Sequence, residues 1–243
     1  MEREYARLYR DLYRSHWWWR AREEFLVDTL QQWLPPDNGH RLLDVGCGAG
    51  LFFDRLERFG EVRGVEADLD LRTGVRKVDE RIHWGSLESL PDRGPFSAIL
   101  FLDVLEHLEK PAQALSDAAR LLSPGGVVIA TVPAFPILWT RHDDMNHHLV
   151  RYTKSSFLSL AETAGYLPLS TRYFFHWTFP AKLLQRFAEK VAPRADVRPL
   201  LPKVPPVLLN RMLFRMSRLE QKVGLDRLCP FGSSLLFVGR PAM

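Results

Sequence analysis

Residues 42 to 66 constrain this chain more than any others. Leu42-Leu43-Asp44-Val45 runs into Gly46-Cys47-Gly48-Ala49-Gly50, and a second short apolar run closes on Gly64-Val65-Glu66. A strand entering a glycine-rich turn, then a helix, then an acidic residue about twenty positions on, is the pattern with which a Rossmann-like unit holds a nucleoside. Gly46 and Gly48 lack a Cβ, so the chain there can take positive φ and approach a ligand closely. Glu66, at the tip of the second strand, has lone pairs for both ribose hydroxyls. An adenosine-containing cofactor is therefore expected.

The remainder alternates in the same way. Strands are expected at Arg41 to Val45, Val62 to Glu66 and Ile82 to Gly85, with helices over Leu51 to Phe59 and Leu71 to Val78 between them. Phe96 to Leu102 is continuously apolar, as a strand buried on both faces should be. A helix opens at Pro111 and runs to Leu122, Ser123 to Gly126 is a turn, and Val127 to Val132 is a fifth strand. A helix from Lys154 to Ala164, a sixth strand near Leu169 to Phe175 and a last strand from Ser234 to Val238 follow. Strand, helix, strand with short connections means an α/β fold with a mostly parallel sheet and helices on both faces. The division expected is a helical cap over 1–40, a core over 41–178, a helical insertion over 179–229 and the last core strand over 230–243.

The glycine spacing narrows the cofactor. A dinucleotide fingerprint needs a third glycine where this chain has Leu51. The turn instead resembles motif I of the class I S-adenosylmethionine-dependent methyltransferases, whose cofactor carries no phosphate. The run Asp103-Val104-Leu105-Glu106-His107-Leu108, at the exit of a buried strand, resembles the corresponding motif of the small-molecule branch, including the ubiquinone-pathway O-methyltransferases. The resemblance covers about residues 41 to 176 and 233 to 239, and it implies a Rossmann-like seven-stranded sheet with the last strand antiparallel. It departs from the family pattern in the roughly fifty residues between strands six and seven, well beyond an ordinary connection.

By the same resemblance the cofactor, S-adenosylmethionine, would meet Asp44, Gly46, Cys47, Gly48, Gly50, Glu66, Ala67, Leu87, Leu102 and Asp103. Ser86 stands where many relatives carry an adenine-binding Asp; its hydroxyl can accept a hydrogen bond or simply cap the following turn. An N-terminal arginine, Arg20 or Arg22, would take the methionyl carboxylate, and Arg20 is the expected one. His107 and His147 are the candidate bases, since histidine titrates near neutrality. A Glu-His pair is equally a hydrogen-bonded helix start. The loop from Trp139 to Tyr152 carries His142, Asp143, Asp144, His147, His148 and Arg151, which suits substrate contact or a solvated loop; no compact ligand spacing marks a metal site, and none is expected.

Three tryptophans at 17 to 19 cannot share one side of a helix, so one indole is expected to point away from the core, either as part of a lid or on an amphipathic helix at the sheet edge. The charge is concentrated elsewhere. Phe179 to Cys229 holds eleven Lys and Arg against four Asp and Glu, so this segment outweighs the formal +4 of the whole chain. Met212, Leu213, Met216 and Leu219 recur there at helical spacing, which fits contact with an anionic membrane, a lid, or a subunit contact. Aromatic residues are not interleaved with the charges, so no nucleic acid is expected. Two cysteines, Cys47 and Cys229, make no disulfide framework, and the absence of a signal-like start or long apolar run fits a cytoplasmic protein. The function expected is methyl transfer to a small-molecule acceptor, with a nicotinamide oxidoreductase and a non-catalytic adenosylmethionine binder as alternatives.

Overall fold

A computed structural model of the protein describes residues 10–34, 39–191, 203–225 and 229–242. Its sheet has seven strands: β1 (His40–Val45), β2 (Gly60–Glu66), β3 (Ile82–Trp84), β4 (Phe96–Leu102), β5 (Leu122–Pro133), β6 (Tyr166–Phe174) and β7 (Ser234–Pro241). Their order is β3-β2-β1-β4-β5-β7-β6. The first five are mutually parallel, and β7 runs antiparallel between β5 and β6. Strand order reverses at β1, which pairs with β2 on one side and β4 on the other. Ligands of open α/β sheets bind at such a point, beyond the carboxyl ends of the strands.

Helices in chain order are α1 (Trp17–Trp33), α2 (Phe53–Leu56), α3 (Arg76–Asp79), α4 (Pro111–Ala119), α5 (Arg141–Met145), α6 (Lys154–Thr163), α7 (Thr178–Val191) and α8 (Val207–Lys222). Alternate strand residues feed two cores. Leu43, Ile99, Phe101, Val128 and Phe237 pack with Leu115 and Ala118 of α4 and Phe157 and Ala161 of α6. Leu42, Leu100, Ile129 and Leu236 pack with Phe25, Leu26 and Leu30 of α1 and Phe53 and Leu56 of α2. Each of the Leu, Ile, Val and Phe side chains among them, fully buried, contributes about 1.5–3 kcal/mol.

Three expected elements differ. The helix expected from Leu51 shrinks to α2, because Leu51 and Phe52 continue the glycine turn: the Phe53 amide bonds to the Gly50 carbonyl at 3.1 Å. The one expected over Leu71 to Val78 is broken at Gly74 (φ +71°), and the Asp79 carboxylate holds the break open by accepting from the amides of Thr73 and Gly74. The turn at Ser123 to Gly126 lies inside β5 as a bulge, between the pairs Phe96↔Leu122 and Ala98↔Val127.

At the N-terminal side residues 10–15 are helical, while positions 1–9 and 35–38 of the cap expected over 1–40 lie outside the described residues. His16 caps α1 by accepting from the Trp18 amide at 3.2 Å. No indole stands free. Trp17 is buried against Trp177, at 4.9 Å between ring centroids, and Trp18 stacks on Phe175 at 5.6 Å. Trp18 and Trp19 are half-buried, Trp18 against Phe175 of the β6–β7 connection and Trp19 against Trp18 and His16. That connection contains α7 and α8, and α8 lies on α1: Asn210 accepts from the Trp17 amide and donates to the Ser15 carbonyl, both at 2.8 Å. Among the described residues no helix is long and apolar enough to cross a membrane.

Candidate active site

The turn after β1 is built from bare main chain. Gly46, Gly48 and Gly50 take φ of +72°, +56° and +67°. A Cβ on Gly46 would stand 2.5 Å from Val104, so the close approach of this turn to the β4 exit depends on glycine. The Gly46 and Cys47 amides bond to the Val65 carbonyl at the end of β2. Glu66 then reaches back across the turn. One of its carboxylate oxygens accepts from the Gly48 amide and the other from the Asp68 amide, each at 2.8 Å. The carboxylate is fixed, and each oxygen keeps a further lone pair.

Asp44 is buried beneath the turn, and burial pushes its carboxyl up to about 7, with the Arg22 guanidinium opposing the rise and Glu66 adding to it. Burial pushes the Cys47 thiol up as well, so it stays unionised and inert. Ala67 is exposed beyond Glu66. Ser86 is exposed in the turn after β3, with its hydroxyl on Ser89, and Leu87 is buried beside it.

Asp103 leaves β4 with φ +60°, an uncommon conformation for a residue with a Cβ. Its amide bonds to the Thr131 carbonyl at 2.9 Å, and its carboxylate meets the buried guanidinium of Arg22 at 2.6 Å. Arg22 also donates to the Thr131 hydroxyl. Arg20 is elsewhere. It is exposed, with its guanidinium over the Phe214 ring at 4.7 Å. Two positions apart on a helix, Arg20 and Arg22 differ in direction by more than half a turn, so only Arg22 can enter the site.

Past Asp103, the turn Leu105–His107 presents its side chains to the loop after β5. Glu106 is fully buried, and neither carboxylate oxygen has a hydrogen-bond partner. Burial, and Asp103 beside it, raise this carboxyl well above the usual range. The His107 ring meets His148 edge to face, at 4.8 Å between centroids. Burial and His148 lower His107, so it is neutral at pH 7. His148 Nδ1 lies 2.8 Å from Asp143, whose carboxylate also accepts from Arg151 Nε at 2.8 Å. Burial opposes ionisation of Asp143, but the bonds from His148 and Arg151 prevail and hold it well below the ordinary carboxylate range. From α7, Lys182 is brought down to about 8, by burial first and then by Arg151.

The histidine expected from this loop was His147. Its φ of +56° turns the chain, its ring is exposed, and His148 faces His107 instead. Glu106, His107 and His148 each offer a ligand atom, all within 4.8 Å of one another, a cluster the sequence did not single out. Sequence spacing could not show this, because the donors come from two separate loops. A groove of about 950 Å³ beside β6, lined by Trp33, Arg172, Tyr173 and Cys229, includes none of these residues.

Residues 18–171 match the family described as "Methyltransferase domain", and the chain belongs to it. It is 39% identical over 103 residues to the ubiquinone biosynthesis O-methyltransferase of Maricaulis maris, covering 39% of this chain and 41% of that one. With the enzyme of the same name from Paracidovorax citrulli it shares 33% over 135 residues, or 47% of this chain and 56% of the other. The matched region thus spans about half the length of these relatives. A SAM-dependent methyltransferase from Archaeoglobus fulgidus has the same fold, with TM-score 0.54, 17% identity and coverage of 89% of this chain and 93% of that one.

Replacing Arg22 with methionine should lower stability by about 1–3 kcal/mol in urea unfolding, because Asp103 keeps its charge and loses its partner. The same change at Arg20 should cost under about 1 kcal/mol. Asp44 generates a second expectation. Its native carboxyl holds a proton that the unfolded chain has released, so its contribution falls as pH rises from the ordinary carboxylate range to about 7. Urea unfolding across that window should show a downward slope that Asp44→Asn flattens.

Proposed function

We propose that this protein transfers the methyl group of S-adenosylmethionine to an oxygen of a small hydroxylated acceptor. The observation that carries the reading is the Glu66 carboxylate, pinned to the Gly48 amide at the mouth of a turn that only glycine can form. That arrangement fits adenosine: the main chain of Gly46 and Gly48 lies against the nucleoside while Glu66 takes the ribose hydroxyls. Leu51 in place of a third glycine fits a cofactor without a pyrophosphate. When bound, the cofactor supplies a sulfonium-activated methyl group open to direct displacement.

The protein's own part is to bind, align and deprotonate the acceptor. Asp143 accepts from His148 Nδ1–H, leaving the other ring nitrogen free to receive the acceptor hydroxyl proton. His107 packs against that ring and restrains it. Arg151, on the far side of Asp143, keeps the carboxylate charged and so keeps the tautomer. The oxygen acceptor is inferred from relatives named ubiquinone biosynthesis O-methyltransferase.

Isothermal titration should show binding of adenosylmethionine and adenosylhomocysteine but not NADH. Glu66→Ala should weaken the first two by about 10–100-fold, the worth of a pair of charge-assisted hydrogen bonds. An unchanged dissociation constant would sink the reading. Saturable binding without transfer to any hydroxylated acceptor would leave a non-catalytic binder.

The buried, unpartnered oxygens of Glu106 favour a second reading of the proton step, in which Glu106, His107 and His148 would hold a divalent cation whose Lewis acidity would ease deprotonation of the acceptor hydroxyl. Chelation distinguishes the two. With a cation, dialysis against EDTA should abolish transfer and a divalent metal should restore it; with His148 as base, transfer survives EDTA, and His148→Ala lowers kcat by about 10²–10⁴-fold.

A further inference from the structure

Among the described residues, the outer side of α8 has no partner. Leu208 is 80% exposed, and Met212 and Leu219 stand exposed beyond it. Their spacing places all three along one side of the helix. A basic row runs beside them: Arg211, Arg215 and Lys222, each three positions after one of the apolar residues and each exposed. The single acid of the helix, Glu220, is 6% exposed and turned inward, accepting from the amides of His176 and Trp177. The free side of α8 is therefore apolar with a purely cationic flank.

The neighbouring α7 repeats the feature. It starts after Trp177, whose indole donates to Ser217 of α8 at 3.1 Å. Leu184 (71% exposed), Phe187 and Val191 lie uncovered along it. Its opposite side is tied to the active-site loop: Arg186 donates to the Trp139 carbonyl, and Glu189 accepts from the Arg141 amide at 3.1 Å.

We propose that α8, together with the apolar side of α7, docks on the surface of an anionic lipid bilayer. An interfacial helix buries its apolar row at the headgroup boundary while Lys and Arg meet lipid phosphates and carboxylates, and each cation near such a surface adds on the order of 1 kcal/mol. A second copy of the chain fits this face poorly, since α8 offers no exposed acid to meet the basic row of its mate. Docking through α7 leaves the loop that carries Asp143 and His148 behind that helix, about one helix diameter from the bilayer. Delivery of a lipid-like acceptor by this route rests on the methyl-transfer reading; the docking face itself does not.

Full-length protein without cofactor is sedimented with phosphatidylcholine vesicles, with and without a phosphatidylglycerol fraction, at low and high salt. Wild-type protein should pellet with the anionic vesicles only, and less at high salt. The variant Leu208→Ser, Met212→Ser, Leu219→Ser and the variant Arg211→Gln, Arg215→Gln, Lys222→Gln should each lose at least about tenfold in partitioning while melting like wild type. Wild-type protein left in the supernatant would overturn the proposal, as would variants that pellet unchanged. A dimer in light scattering that the serine variant splits, with no vesicle binding, would make this face a self-interface and overturn it too. Because no cofactor is present, failure of adenosylmethionine binding and failure of docking are read separately.

Discussion

The bond from the Gly48 amide to Glu66 is the joint on which the site depends. It is short in space and long in origin, because Gly48 follows β1 while Glu66 ends β2, and only the parallel register of Val45 with Val65 brings them together. The same register lets the Gly46 and Cys47 amides close on the Val65 carbonyl. A polar main chain that would otherwise be unsatisfied at a buried strand end is thereby satisfied without a side chain, and the turn remains bare. Core packing and site geometry are thus one arrangement, since the strands that bury Leu42 and Leu43 also hold the turn open.

Around that joint the protein gathers several carboxyls. Asp44, Asp103 and Glu106 lie near the buried guanidinium of Arg22, and Asp143 is bonded to that of Arg151. The outcome differs by partner. Asp143, with Arg151 and His148 bonded to it, is held well below the usual carboxylate range; Glu106, with neither oxygen bonded, is raised well above it; Asp44, with Arg22 in reach but burial prevailing, is raised to about 7. Such a spread among neighbouring carboxyls, set by desolvation and pairing, is characteristic of sites that move protons or bind cations.

How much of this was legible in the sequence depended on the range of the interaction. The order of elements, the glycine turn, Glu66 and the position of Asp103 could be read because each is set by local pattern or by the resemblance those residues carry. What escaped was phase and distance. Arg20 and Arg22 are equivalent in composition, and only the rotation of α1 against the sheet decides that Arg22 meets Asp103. His147 and His148 are adjacent, and the positive φ at the first hands the site to the second. The cluster of Glu106 with His148 is a tertiary contact between loops, closed by the Leu149 amide on the Glu106 carbonyl at 2.7 Å. The short helices α2 and α3 were over-read because turn bonds there outcompete helical propensity.

The clasp between α1 and α8 also sets an order of events during synthesis. Trp17 and its partner Asn210 are 193 positions apart, so the tryptophan-bearing helix leaves the ribosome long before the helix that covers it exists. Throughout that interval its indoles lack their native cover, and the apolar surface so presented is the kind that recruits chaperones or misassociates. Completion of the cap is thereby a late step of folding, and α8, translated long after α1, decides whether the tryptophan-bearing helix finds its place.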